Sequence, residues 1–238
     1  MLQIYCTLKT SHKLKIKGYF NKIFVIMGIN MNINTSTLIE LLIKEYPDAK
    51  CSLDFKTPFQ MLVAVMLSAQ CTDERVNQTT PYIFAKYNTP ADFANANIEE
   101  LEKLVYPCGF YKTKTKNLIA CGKIIVEKFN GEVPQSMEEL TSLPGIGRKC
   151  ANVIMLNAFS NPVGIAVDTH AKRISNRIGL SYNSDPLKIE QDLLLQFDKK
   201  YLSDINHLFV YHGRKICTSR KPKCNICPIY DLCEKNGI

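Results

Sequence analysis

The chain has 238 residues, 46% of them hydrophobic and 22% charged, which is enough apolar material for one large core or two modest ones. Its formal charge is +8, but residues 1–30 hold five lysines (Lys9, Lys13, Lys15, Lys17, Lys22) and no acid, so the remainder carries only +3 and bulk charge is a weak sign of a nucleic-acid partner. No apolar stretch reaches the roughly 18–20 residues of a membrane span. Ten cysteines would suit a secreted disulfide scaffold, yet four of them crowd into the last 22 residues, and that distribution points to a metal or cluster site in a reducing compartment. A soluble, cytoplasmic protein that makes no use of a membrane is expected.

In chain order, residues 1–30 form an N-terminal extension without acids or clear caps. It reads either as a start codon placed too early, with Met27 and Met31 as alternative starts, or as a disordered tail; the absence of Arg and of a cleavage site disfavours a targeting segment. A convincing helix begins near Thr35. Thr57-Pro58, Thr89-Pro90 and Asp185-Pro186 each put a capping side chain before a proline at the first helical position. Thr37 with Glu40, Thr57 with Gln60 and Ser136 with Glu139 add capping-box spacing. Residues 59–67 are apolar on nearly every side, as in a helix surrounded by others. Strand signals are few, Val163 to Val167 being the best, so the class is all-α with about ten helices.

Three segments carry chemistry. Leu143-Pro144-Gly145-Ile146-Gly147-Arg148-Lys149 lies between a short capped helix and an apolar one, and its two glycines permit a tight turn with φ > 0 whose amides offer a phosphate seat. This is a helix-hairpin-helix, which grips a DNA backbone without reading sequence; Pro-Gly turns between helices in proteins that never touch DNA are the plainer reading. Lys149 falls in the first turn of the second helix, where the dipole disfavours an ammonium and can move a lysine from about 10.4 towards the range of a nucleophilic amine. In Ile165-Ala166-Val167-Asp168-Thr169-His170, a lone carboxylate follows an apolar run at a helix start, where a helix cap is its plain role. The third segment is Cys217-x6-Cys224-x2-Cys227-x5-Cys233, four thiolates with a single Cys-x2-Cys pair. Zinc ribbons usually have two such pairs, so the spacing leans towards a [4Fe–4S] cluster. The six scattered cysteines read as buried inert thiols, and His170 and His212 as structural.

Together these elements, with Leu67-Ser68-Ala69-Gln70 and Thr72-Asp73, make the chain from about Met31 onward resemble the endonuclease III family of the helix-hairpin-helix glycosylase superfamily. The resemblance implies an all-α fold of two helical domains flanking a DNA-binding cleft: a six-helix barrel with the hairpin at about 51–161, and a cluster domain from 31–50 plus 162–238. It implies a bifunctional enzyme of base excision repair, a monomer acting on double-stranded DNA with damaged bases or abasic sites. Lys149 and Asp168 match the catalytic pair. The damaged nucleotide would be rotated out of the duplex, Lys149 would attack C1′ and form a Schiff base, and β-elimination would break the strand. Asp168 would take up the proton and stabilise charge on the sugar, since a nearby anion cannot be what lowers the lysine's pKa.

Gln70 and Phe110 match the positions that fill the gap left by the extruded base, with Phe110 standing where Leu is expected; ordinary interhelical contact is the alternative reading for both. Gly145, Gly147 and Arg148 would contact DNA through the hairpin. Arg220, Lys221 and Lys223 would do so from the loop between Cys217 and Cys224, for which a solvated basic loop is the alternative. Oxidised pyrimidines are implied as substrates by the resemblance alone. An adenine glycosylase of the mismatch-repair type is the near rival, disfavoured by Lys149 and by a chain that ends five residues after Cys233. A non-catalytic DNA-binding or redox-signalling iron-sulfur protein is the rival from another class.

Overall fold

The computed structural model describes residues 33–238. The expectations about the lysine-rich extension, Met27, Met31 and Cys6 therefore lie outside the described residues. Within them the fold is all-α, as expected, and holds no strand. Its helices are α1 (Thr35–Glu45), α2 (Pro58–Ser68), α3 (Asp73–Phe84), α4 (Pro90–Ala94), α5 (Ile98–Val105), α6 (Tyr111–Phe129), α7 (Met137–Ser142), α8 (Arg148–Phe159), α9 (Thr169–Ile178), α10 (Pro186–Gln196) and α11 (Leu202–Lys215).

The chain divides into two compact units. One is Lys50–Ala166, and the other joins 33–49 to Val167–Ile238. Residues 162–166 thus stay with the first unit, where Ile165 is buried and its carbonyl accepts a hydrogen bond from Asn152 Nδ2 at 3.3 Å. Val163 to Val167, the best strand signal, is irregular. An extended run becomes a strand only beside another strand, and none exists among the described residues.

The first unit is organised around α2. All of residues 59–67 are buried, as their all-round apolarity predicts, and α2 packs against α3, α6 and α8. Each fully buried Leu or Met here contributes about 1.5–3 kcal/mol of transfer free energy. The second unit packs α9 and α11 together, with α1 and α10 alongside; Leu38, Leu42, Ile174, Ile189, Leu193 and Phe209 are among its sealed side chains.

Local chemistry sets most helix starts. Thr57, Thr89 and Asp185 cap α2, α4 and α10 with proline in the first turn, as read from the sequence. The capping boxes turn out differently. Asn34, not Thr37, caps α1, and Gln60 bonds the Lys56 amide rather than its cap residue's own. The reciprocal box is Thr89 with Asp92, whose Oδ2 accepts from the Thr89 amide at 2.8 Å while Thr89 Oγ1 accepts from the Asp92 amide at 3.2 Å.

Candidate functional site

Between α7 and α8 the chain turns through Leu143 to Gly147. Leu143 and Ile146 are buried and anchor the turn, while Gly145, Gly147, Arg148 and Lys149 are exposed. Gly145 has φ +82°, and a Cβ there would lie 2.8 Å from Asn117 Nδ2 and 3.3 Å from the Met66 methyl, so glycine is demanded twice over. The Cys121 thiol donates to the Pro144 carbonyl at 3.1 Å, tying the turn to α6. Burial pushes that thiol up to about 12, so it stays protonated and able to donate.

Of the two glycines that permit φ > 0, Gly145 uses that freedom and Gly147 does not. Gly147 is extended (φ −92°, ψ 174°) because it is the N-cap of α8, and a Cβ there would meet nothing within 4 Å. No side chain caps α8, whereas Ser136 caps α7. The first-turn amides of a helix have no intrahelical acceptor, and here the N-cap is a glycine with no side chain to offer them. Lys149 is the second residue of this helix.

Asp168 belongs to the other unit and is the N-cap of α9: its Oδ1 accepts from the Ala171 amide at 2.7 Å. The plain role is real. It occupies one carboxylate oxygen and, with Ile165, Ala166 and Val167 buried behind it, fixes where the half-buried carboxylate sits.

Gln70 follows α2 and Phe110 precedes α6. Both are exposed, Phe110 at 65%, and both take the left-handed conformation, with φ 53° and 47°. The Phe110 ring stays mostly open to solvent, and a left-handed non-glycine residue stores about 1–3 kcal/mol of strain.

The four C-terminal cysteines line one small pocket walled by Ile178, Ile216 and Ile229. Cys217 leaves the end of α11, its amide bonding the His212 carbonyl at 2.8 Å, and the Lys223 amide returns to the Ile216 carbonyl at 3.0 Å, closing a loop on which Arg220, Lys221 and Lys223 are exposed. Arg177 Nη1 donates to the Thr218 carbonyl at 2.7 Å and lies 3.4 Å from Cys217 Sγ, its Nη2 donates to the Ser219 carbonyl at 2.9 Å, and Arg173 donates to the Cys217 carbonyl. His212 Nε2 lies 3.6 Å from Cys227 Sγ and its Nδ1 3.0 Å from the Tyr46 hydroxyl; burial, aided by Arg173, lowers it to about 4, so the ring is neutral. Burial also pushes the Cys227 thiol up to about 11, so a bound group must displace its proton.

Four sulfurs, apolar walls and nearby N–H donors fit an iron-sulfur cluster. His170, like His212, is packed into structure: its Nδ1 is 3.1 Å from Arg173 Nη2 and burial lowers its pKa.

Sequence reasoning missed Arg173, Arg177 and Lys114. The two arginines are four apart on α9, a spacing that puts them on one face and was readable; that Lys114 is buried was not.

Residues 63–198 match the family model described as HhH-GPD superfamily base excision DNA repair protein, and residues 217–233 match the iron-sulfur binding domain of endonuclease III. A protein named endonuclease III from Synechocystis sp. is 47% identical over 199 residues, covering 83% of this chain and 91% of that protein. The solved structure of a non-covalent endonuclease III–DNA complex aligns with a TM-score of 0.80 at 40% identity, covering 84% of this chain and 94% of that one. That of a trapped endonuclease III–DNA covalent intermediate aligns at 0.78 and 40%, covering 83% and 92%.

Proposed function

The chain belongs to the endonuclease III family of HhH-GPD base excision DNA repair proteins, DNA glycosylases with AP lyase activity, and from that premise we propose the part each of its residues takes. Lys149 is the nucleophile. Its neutral amine attacks C1′ of the damaged nucleotide, the bond to the base breaks, and Asp168 accepts the proton that the amine loses. The C1′–O4′ bond then opens, the ring oxygen taking up a proton, to give the Schiff base, which acidifies C2′; loss of the C2′ proton to water expels the 3′ phosphate, and water then hydrolyses the imine to release Lys149. The observation that carries this reading is an exposed lysine in the first turn of α8, directly behind an uncapped glycine hairpin.

The hairpin's Gly145 and Gly147 backbone, with Arg148, holds a phosphate of the strand being cut. Gln70 and Phe110 occupy the space vacated by the extruded base, and Arg220, Lys221 and Lys223 contact phosphate from their loop. Cys217, Cys224, Cys227 and Cys233 hold the [4Fe–4S] cluster, which when bound cross-links the C-terminal segment. We read the substrate as duplex DNA carrying oxidised pyrimidines or abasic sites, and the protein as a monomer.

The test is borohydride trapping. Reductant added during turnover of lesion-bearing duplex DNA yields a covalent adduct that maps to Lys149, and Lys149→Gln abolishes trapping and strand cleavage while DNA binding persists. Asp168→Asn isolates the second residue, because Asn caps a helix as well as Asp: α9 stays, excision drops, and DNA affinity is undiminished. Nicking by Lys149→Gln at the wild-type rate refutes the assignment.

A further inference from the structure

Lys114, on the first turn of α6, is 7% exposed, and it alone among the described lysines is buried. Its Nζ donates to the Leu67 carbonyl at 2.8 Å and to the Cys108 carbonyl at 2.9 Å. Leu67 lies three residues before Gln70, and Cys108 two before Phe110. Its own amide also bonds the Phe110 carbonyl at 3.0 Å.

The two acceptors need this donor. Leu67 is in the last turn of α2, where carbonyls have no intrahelical partner. Ser68 Oγ bonds the Val65 carbonyl and the Cys71 amide bonds the Ser68 carbonyl; the Leu67 carbonyl is met by Lys114. An ammonium at a helix C-terminus is favoured by the dipole, and its three hydrogens can serve two acceptors at once. Burial lowers the amine's pKa and is the cost of the arrangement.

We propose that Lys114 is a positioning residue whose buried ammonium clips the turn bearing Gln70 to the turn bearing Phe110, holding both left-handed residues at a fixed spacing before DNA arrives. This rests on the reading of Gln70 and Phe110 as the pair that fills the gap left by the extruded base. Lys114 acts through them and does not itself meet DNA. Two strained turns on separate elements would otherwise relax independently, and each extrusion would have to order them again.

The experiment compares single-turnover excision of one lesion in a paired duplex with excision of the same lesion left unpaired, where little unstacking is needed. Lys114→Met matches the length and removes every donor. The expected result is a loss of about tenfold or more on the paired substrate, against less than about threefold on the unpaired one, since two buried carbonyls are orphaned. Added to a Gln70→Ala/Phe110→Ala background, Lys114→Met should slow excision by less than about twofold further, because coupled residues are non-additive.

Hydrogen exchange should quicken at residues 67–72 and 108–113 and nowhere else. Lys114→Gln, which keeps an N–H2 donor, should recover part of the paired rate; if the methionine variant does not fold, the paired-to-unpaired ratio is read on this one. Equal losses on both substrates, a full multiplicative loss on the double-variant background, or unchanged exchange in the two turns would overturn the proposal. If Gln70→Ala and Phe110→Ala treat both substrates alike, the gap-filling reading itself falls. In that event exchange in the two turns still decides whether Lys114 clips them.

Discussion

The two hairpin glycines look equivalent in the sequence and should behave oppositely when replaced by alanine. At Gly145 the backbone has φ +82°, which costs an L-residue about 1–2 kcal/mol. The new methyl would also stand 2.8 Å from Asn117 Nδ2, forcing that side chain aside for about 1 kcal/mol more. A total of about 2–3 kcal/mol corresponds to a fall in Tm of about 4–12 °C for a chain of this size. At Gly147 the backbone is extended and the methyl enters open space, so the change in stability stays under about 1 kcal/mol. That open space fronts the uncapped start of α8, however, so Gly147→Ala should weaken binding to abasic-site duplex about tenfold by standing off the phosphate. Thermal unfolding of the holoprotein and DNA titration at fixed salt measure the two effects. Equal stability of the Gly145→Ala variant and wild type, or undiminished affinity of the Gly147→Ala variant, would refute the reasoning.

Phe110→Gly removes the left-handed strain and a 65% exposed ring, so it should leave stability equal or raise it by up to about 1 kcal/mol while slowing excision from paired duplex; a clear loss of stability would mean that the ring is packing. Purified protein should be brown and contain about four irons and four sulfides per chain. Cys224→Ser should lower cluster occupancy and DNA affinity together, because the Arg220–Lys223 loop hangs between Cys217 and Cys224; lost iron with wild-type affinity would separate the loop from the cluster.

Much of this molecule is decided within a few residues and is therefore legible in the chain. A hydroxyl or carboxylate that accepts from the amide three residues on caps a helix start locally, and Thr57, Thr89, Ser136, Asp168 and Asp185 declare their helices in this way. The all-round apolarity of residues 59–67 can be satisfied only at the centre of a helical core, and the cysteine spacing states a four-thiolate site before any packing is known. What the sequence could not determine depends on partners distant along the chain. The run Val163 to Val167 is as apolar as a strand but has no strand to pair with among the described residues. Gly147 is extended because α8 starts there, and nothing in its own residue type says so. Gln70 and Phe110 are left-handed although neither is a glycine, and Lys114, in a helix full of exposed lysines, is buried where Leu67 and Cys108 present carbonyls to it across 47 and 6 residues of chain. Caps and periodicity act over a single turn of helix. The burial of a charge and the strain in a backbone are set by whatever the rest of the fold brings against them, and only the tertiary structure decides that.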